Sequence, residues 1–211
     1  MSLKQVFHRI VVAAFLGAGL AFAPLGHAQS PAYVTIDPAQ PSDTKGKIEV
    51  LEFFAYTCPH CYAMEPLTAK WAETLPENVV LKRVPVAFNA GMADLQKLYF
   101  SLEVLDRLDL HKEVFYTLHR DRKRMYDFKA IANWIEEKGV DRKQFESVFQ
   151  SFGVNNKAAR ANALVDTYNI EGTPSVAIGG RYVTSPSMTG TYEGTITEAQ
   201  RRLDAVLAQG N

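Results

Sequence analysis

The chain has 211 residues, of which 47% are hydrophobic and 22% are charged. This composition is typical of a folded globular protein and excludes a mainly disordered chain. Basic and acidic side chains number 23 each, so the formal net charge is zero and gives no electrostatic basis for binding nucleic acid or an anionic membrane surface. Two cysteines, Cys58 and Cys61, are too few for a disulfide scaffold, and two thiols alone do not close a structural zinc site.

Residues 1–28 are typical of a cleaved secretory signal peptide. Lys4 and Arg9 precede an uncharged segment, residues 10–23, which is too short to span a bilayer with margin. Small residues at the end of this region predict cleavage after Ala28. A retained anchor helix is the alternative, but no stop-transfer run of lysine or arginine follows. An exported chain works outside the cytosol, where a cysteine pair can stay oxidised.

The next part of the chain predicts a leader followed by a crossover unit. Residues 29–46 contain several prolines and show little apolar periodicity, which indicates an N-terminal leader rather than a domain. The apolar run of residues 47–56 predicts a central strand covered on both faces. Pro59 predicts the first turn of a helix that Pro76 ends, and residues 79–86 predict a second strand. This order predicts a right-handed parallel crossover.

Residues 91–152 have helical periodicity and predict an all-helical block. Asp127 and Asp141 are the predicted N-caps of two helices, and Asn156 is the predicted start of another. The basic cluster over residues 120–124 is interpreted as a solvated helix end rather than a binding patch, because nearby acids balance it. Further on, two short strands joined by a two-glycine turn, residues 179–180, predict a hairpin, and residues 196–207 predict a closing helix.

The two cysteines form a Cys-x-x-Cys motif at the predicted junction between strand and helix. Cys58 then lies at a helix N-terminus, where free backbone amides and the macrodipole stabilise a thiolate. Cys61 lies one turn deeper, close enough to close a small ring on Cys58 and to resolve a mixed disulfide. Pro59 begins the helix, and the imidazole of His60 beside the sulfur would donate a hydrogen bond or a positive charge to the thiolate. The motif predicts redox catalysis.

The sequence argues against three other uses of the Cys-x-x-Cys motif: a zinc site, a c-type haem site and a structural disulfide. A zinc site needs more ligands, and the histidines beyond the predicted signal peptide, His60, His111 and His119, match no finger spacing. A c-type haem requires histidine directly after the second cysteine, where this chain has Tyr62. A purely structural disulfide would be expected to link distant segments, because so short a loop gains only about 2 kcal/mol. We therefore favour the redox function and expect no metal or other cofactor.

The segment EFFAYTCPHCY, from Glu52 to Tyr62, resembles the active site of the DsbA family, periplasmic oxidases of the thioredoxin superfamily. The CPHC tetrapeptide, the export signal, the helical block and the later segment EGTPS, residues 171–175, carry the resemblance together, which covers nearly the whole chain after residue 28. It implies an α/β, thioredoxin-like fold with an inserted all-helical domain. The expected organisation is a signal peptide at 1–28, a leader at 29–46, a thioredoxin-like domain at 47–88 and 157–211, and the inserted helical domain at 89–156.

The resemblance also assigns a substrate site. It implies that Pro174 is a cis proline beside the cysteines and that the backbone of Thr173 pairs with an incoming peptide as an added strand. A trans turn proline is the alternative. The best-known members of the family have valine at the position of Thr173, whereas periplasmic disulfide isomerases have threonine. Those isomerases carry an N-terminal dimerisation domain, for which residues 29–46 leave no room.

Glu52 is a carboxylate inside a strand predicted to be covered on both faces, so it needs a partner. Lys82 on the adjoining strand is the candidate, and the resemblance implies a buried acid and lysine beneath the cysteines. Such a pair would act as a proton relay for Cys61 when this thiol ionises to resolve a mixed disulfide. The alternative is that Glu52 lies near a sheet edge and is solvated.

The resemblance implies a periplasmic thiol:disulfide oxidoreductase that donates the Cys58–Cys61 disulfide to newly exported proteins through a mixed disulfide. The implied partners are folding exported proteins with free cysteines and a DsbB-like membrane quinone reductase that restores the disulfide. We expect a monomer that binds no nucleic acid. The alternatives are a disulfide isomerase or reductase, and a non-catalytic peptide-binding holdase that uses the apolar side chains Phe88, Met92 and Met188.

Overall fold

The computed structural model describes residues 31–209. The predicted signal peptide and its cleavage after Ala28 lie outside the described residues. Within the described part of the chain, no helix is both long enough and apolar enough to cross a membrane.

One mixed β-sheet forms the centre of the fold. Its strands are β1 Val34–Thr35, β2 Ile48–Phe54, β3 Val79–Pro85, β4 Ser175–Ile178 and β5 Tyr182–Thr184. They lie in the order β1-β5-β4-β2-β3, and β2 pairs in parallel with β3 and antiparallel with β4. β2 is therefore an interior strand and is almost wholly buried, as its continuous apolar run predicts.

The helix α1, Pro59–Ala72, connects β2 to β3 and completes the predicted crossover. Cys58 is its N-cap residue, and Pro59 occupies the first turn, where a missing backbone N–H is tolerated. Pro66 lies inside the helix, where it removes one backbone hydrogen bond. The parallel pairing places Glu52 opposite Arg83, and this register decides which cation meets the buried carboxylate.

A block of helices separates β3 from β4, as predicted. Its helices are α2 Ala93–Val104, α3 His111–Phe115, α4 Phe128–Glu137, α5 Arg142–Phe149 and α6 Phe152–Thr167, with 3-10 turns at Ala90–Met92 and Leu108–Leu110 and a π-helical turn at Tyr116–Arg120. The side chains of Asp127 and Asp141 cap α4 and α5, as predicted.

The start of α6 differs from the prediction. The helix begins at Phe152 and not at Asn156, because the Ser151 hydroxyl caps it by accepting a backbone hydrogen bond at 3.2 Å. α6 then runs from the helical block to the sheet and contacts both α2 and β3. The domain boundary that we propose between residues 156 and 157 thus falls inside one continuous helix.

The predicted hairpin joins β4 to β5 through Gly179 and Gly180, whose φ angles are +57° and +70°. A Cβ on Gly180 would lie 2.0 Å from the carbonyl oxygen of Gln40, so the close approach of the leader also requires glycine here. In the leader, Val34 and Thr35 form the edge strand β1, which pairs with β5. The sequence pattern did not indicate this strand, because two residues are too few to show a periodicity.

Two helices follow the hairpin. α7 is the single turn Pro186–Thr189, and α8 spans Tyr192–Gln209, so it begins before its predicted start at residue 196. The hydroxyl of Thr191 accepts a hydrogen bond from the Gly194 amide at 2.9 Å and caps this earlier start.

Two hydrophobic clusters hold the layers together. The smaller cluster, which includes Val50, Met64 and Leu203, joins one face of the sheet to α1 and α8. The larger cluster, which includes Phe53 and Phe115, continues from the opposite face into the helical block. The junction of β2 and α1, which carries the cysteines, lies where these layers meet.

Candidate active site

The two sulfur atoms lie in different surroundings. Cys58 is half-buried, and its sulfur accepts a hydrogen bond from the Cys61 backbone amide at 3.4 Å. Cys61 is only 2% exposed and lies one helical turn deeper. Both are free thiols in this structure. The motif thus presents one accessible and one shielded sulfur, as its spacing predicts.

These surroundings ionise one sulfur and keep the other protonated. A hydrogen bond from the Cys61 thiol lowers the pKa of Cys58 to about 5 against the effect of burial, with further help from backbone amides and from Thr173. Burial raises the pKa of Cys61 far above the usual range of thiols, and its hydrogen bond to Cys58 adds to this effect. At neutral pH the reduced pair is therefore a Cys58 thiolate beside a Cys61 thiol.

The peptide bond between Thr173 and Pro174 is cis, as the resemblance implies. The Thr173 carbonyl oxygen lies 3.3 Å from the Cys58 sulfur, although the two residues are 115 positions apart. The fold therefore places the backbone before this proline directly beside the accessible sulfur.

A groove of about 720 Å³ opens beside this loop. Its walls come from the segment before β4, from α7 and from the start of α8, and they include Thr173, Pro174, Met188 and Tyr192. Of the three apolar side chains proposed for peptide binding, only Met188 lines this groove. The size of the groove suits a short extended segment of a substrate polypeptide.

His60 is exposed, and its imidazole is turned toward the start of α8. His60 Nδ1 lies 2.7 Å from the hydroxyl oxygen of Tyr192. The backbone amide of His60 contributes to the lowered pKa of Cys58, whereas its ring is engaged by the tyrosine. Donation from the imidazole to the thiolate stays a prediction, because the hydrogen bonds that lower the pKa of Cys58 in this geometry come from Cys61 and the helix terminus.

Glu52 is 2% exposed, and its partner is Arg83. Arg83 Nε lies 3.1 Å from Glu52 Oε2, and Arg83 Nη2 donates to Glu65 Oε1 at 2.9 Å. Burial raises the pKa of Glu52 to about 7, although the positive charge of Arg83 opposes the shift. The alternative of a solvated Glu52 at a sheet edge is therefore wrong.

The prediction that Lys82 pairs with Glu52 is also wrong. Lys82 pairs with Glu49, and its side chain is 41% exposed. Successive residues of a strand point to opposite faces, and Arg83 is the residue in register with Glu52. Lys82 is consequently directed to the face that Glu49 shares, away from the buried carboxylate.

The buried charges continue into the helical block. His111 Nε2 lies 3.3 Å from Glu65 Oε2, and His111 Nδ1 lies 2.7 Å from the Tyr56 hydroxyl. Burial lowers the pKa of His111, so the neutral ring donates from Nε2 to the carboxylate and accepts the tyrosine proton at Nδ1. Although burial opposes it, the hydrogen bond from His111 and the charge of Arg83 hold the pKa of Glu65 below its usual value.

Comparisons with known proteins agree with this site. A family model described as thioredoxin matches residues 43–198. The thiol:disulfide interchange protein DsbA of Bordetella pertussis is 54% identical over 195 residues, which cover 92% of this chain and 93% of that protein. This chain belongs to the DsbA family.

Further members of the DsbA family match over most of their length. The thiol:disulfide interchange protein DsbA of Pseudomonas aeruginosa is 34% identical over 151 residues, 71% of this chain and 72% of that protein. The crystal structure of Pseudomonas aeruginosa DsbA has a TM-score of 0.81 at 31% identity and covers 85% of this chain and 94% of that chain. The chain is thus a disulfide oxidoreductase with a thioredoxin-like fold. This confirms the predicted fold class and enzyme class. Its activity involves substrate proteins and a redox partner.

Sequence reasoning also missed a contact to the active-site loop around Cys58 and Cys61. His119 Nε2 lies 2.8 Å from the Tyr56 carbonyl oxygen, and its ring stacks on Tyr62 with centroids 5.1 Å apart. His119 lies in the π-helical turn Tyr116–Arg120, and such turns are frequent at functional sites. No local pattern relates this histidine to a loop 63 residues away, and the same holds for Tyr192.

Proposed function

We propose that this chain is a periplasmic dithiol oxidase that donates the Cys58–Cys61 disulfide to newly exported proteins. The proposal depends on the asymmetry of the two thiols, because the pKa of Cys58 is lowered to about 5 while that of Cys61 is raised. Stabilising the Cys58 thiolate stabilises the reduced protein, so the disulfide form becomes a better oxidant. While the pKa of the Cys58 thiol lies below the pH of the solution, each further unit of decrease stabilises the reduced protein by about 1.4 kcal/mol. The reduction potential of the pair then rises by about 30 mV.

The first step joins the substrate to Cys58. A substrate thiolate attacks the Cys58 sulfur of the oxidised protein, the bond to Cys61 breaks, and Cys61 leaves with the bonding electron pair. Because burial raises the pKa of Cys61, this sulfur takes up a proton. We assign Glu52 as the donor, since a buried carboxyl with a pKa of about 7 is partly protonated at neutral pH. Arg83, rather than Lys82, is the cation of the proposed relay.

The second step releases the product. A second substrate thiolate attacks the substrate sulfur of the mixed disulfide, and Cys58 leaves as a thiolate. The low pKa of Cys58 makes it a good leaving group. The substrate has then lost two electrons and gained a disulfide, and the protein holds those electrons in the reduced pair.

The substrate lies in an extended conformation along the groove. The backbone of Thr173 pairs with it as an added strand, and Pro174 keeps this backbone beside Cys58. Pro59 begins α1 without needing an N–H partner, so it supports the helix start that stabilises the thiolate. Main-chain pairing of this kind suits many different substrates, because it does not depend on their side chains.

Reoxidation completes the cycle. The reduced pair passes its two electrons by the same exchange to a disulfide of a DsbB-like membrane quinone reductase, which hands them to its quinone. Membership of the DsbA family and the predicted export signal support this partner and the periplasmic location.

The test is the equilibrium of the Cys58–Cys61 pair with glutathione. We expect a reduction potential well above that of a cytosolic reductant and stoichiometric oxidation of a two-cysteine peptide by the disulfide form. The matched variants are Cys61→Ser, which should retain a mixed disulfide with a disulfide-bearing peptide, and Cys58→Ser, which should form none. A strongly reducing potential, or no peptide oxidation, would exclude the oxidase. Binding that persists unchanged in Cys58→Ser, without redox activity in the parent, would indicate a holdase.

Thr173 favours disulfide isomerase as the second candidate, because the resemblance associates threonine before the proline with isomerases. An isomerase works from its reduced form and recovers a protein with scrambled disulfides, whereas an oxidase works from its disulfide form on a reduced protein. We expect the disulfide form of this chain to act on the reduced protein faster than its reduced form acts on the scrambled one.

A further inference from the structure

The hydrogen bond between His60 and Tyr192 joins two walls of the groove. His60 lies in the first turn of α1 and Tyr192 is the first residue of α8, so the contact connects positions 132 residues apart. Their ring centroids are 6.2 Å apart with an interplanar angle of 47°, so the rings do not stack and the 2.7 Å contact is made by the hydroxyl. Both residues line the groove beside the cis proline.

The two ends of this contact differ in rigidity. Tyr192 follows Gly190, which turns the chain at a φ of +82°, and it enters a helix capped by Thr191. Hydrogen bonds from the backbone amides of Gly194 and Thr195 to Thr191 hold this start of α8 in place. The side chain of His60 is exposed, and a surface imidazole changes rotamer freely unless something binds it. The tyrosine hydroxyl therefore determines where the ring lies.

We propose that Tyr192 is a positioning residue that holds the His60 imidazole on the groove wall and away from the Cys58 sulfur. The inference rests on the proposed function, since it concerns how strongly the pair oxidises. The hydroxyl serves both protonation states of the ring: it donates to Nδ1 of the neutral imidazole and accepts from Nδ1–H of the imidazolium. The contact therefore persists whichever form is present.

Losing the hydroxyl has a predictable direction. A released ring samples positions nearer to Cys58, two residues earlier, where its N–H or its charge stabilises the thiolate. An ordinary hydrogen bond favours the position of the His60 ring beside Tyr192 over the released positions by about two- to tenfold. Tyr192→Phe should therefore lower the pKa of Cys58 by about 0.3 to 1 unit. The glutathione equilibrium should move toward the reduced protein by the same two- to tenfold factor, because each pKa unit corresponds to tenfold.

A double-mutant cycle on the full mature chain tests the proposal. The thiolate absorbance of Cys58 against pH and the glutathione equilibrium are measured for the parent, Tyr192→Phe, His60→Ala and the double variant. In the His60→Ala background, Tyr192→Phe should change neither quantity. Imidazole ¹⁵N shifts should show one dominant neutral tautomer of His60 in the parent and a mixture in Tyr192→Phe. The exposed Tyr126, replaced by Phe, is the control for loss of a hydroxyl.

Three results would overturn the proposal: an unchanged pKa of Cys58 in Tyr192→Phe, a raised one, or a shift that survives in His60→Ala. Identical tautomer distributions in parent and variant would do the same. Failure of the proposed function is separate, because it would appear as a parent that does not oxidise the two-cysteine peptide, while the tautomer measurement would still report on the contact.

Discussion

His119 Nε2 donates a hydrogen bond to the backbone carbonyl oxygen of Tyr56 at 2.8 Å. Tyr56 lies two residues before Cys58, and the same imidazole stacks on Tyr62, the residue after Cys61, with an interplanar angle of 7°. One side chain of the helical block thus contacts the chain on both sides of the cysteines. The inserted helices hold the active-site loop in addition to covering the sheet.

Replacing His119 by alanine should loosen this loop. We expect the free energy of unfolding to fall by about 1 to 2 kcal/mol, because a partly buried carbonyl loses its donor and Tyr62 loses a stacking partner. Amide exchange at residues 56–58 should accelerate. His119→Gln retains an N–H donor and should recover part of the loss in urea unfolding. An alanine variant with unchanged stability and exchange would show that the contact does not hold the loop.

The reduced protein should become more stable as the pH rises. The pKa of Cys58 is lowered from its ordinary value of 9.0 to about 5 in the folded state, so its stabilising contribution is absent below about pH 5 and grows up to about pH 9. At pH 7 we expect about 1 to 3 kcal/mol, discounted because the sulfur is only half-buried. The measurement is the difference in unfolding free energy between reduced parent and Cys58→Ser across this range. A difference independent of pH would contradict a stabilised thiolate.

Glu52 should give the opposite pH dependence. Its folded pKa of about 7 lies above the ordinary value of 4.5, so ionisation of this carboxyl destabilises the fold progressively from about pH 4.5 to about pH 7. Glu52→Gln should match the parent in acid and be more stable by roughly 1 to 3 kcal/mol above pH 7. It should also slow the first exchange step if Glu52 donates the proton to Cys61. A constant stability difference at all pH values would contradict the raised pKa.

Arg83 and Lys82 form a matched pair for testing the corrected partner of Glu52. Arg83→Met leaves two buried carboxylates without their shared cation and should cost about 3 to 5 kcal/mol at neutral pH. Lys82→Met removes an exposed contact with Glu49 and should cost about 0 to 1 kcal/mol. Adding Glu52→Gln should recover part of the Arg83→Met loss and none of the Lys82→Met loss. Equal losses in the two single variants would contradict this assignment.

The sequence by itself determined the elements whose signals are local. A Cys-x-x-Cys motif between a continuous apolar run and a proline-initiated helix predicts a helix-terminal nucleophile, because capping and the helix dipole act over one turn. Asp127 and Asp141 predict helix caps, and the two-glycine turn predicts a hairpin, because each of these signals acts within a few residues of the chain. The strand, helix and strand order limits the topology to few choices, because such crossovers are right-handed.

Only the tertiary structure decided which side chains meet around the cysteines. Lys82 and Arg83 are adjacent cations, and a shift of one residue in register exchanges the face that each occupies. The contacts of Cys58 with Thr173, of His60 with Tyr192 and of His119 with the Tyr56 carbonyl span 115, 132 and 63 residues. Such contacts depend on how sheet, helical block and groove pack against one another, and periodicity within one segment carries no information about that packing.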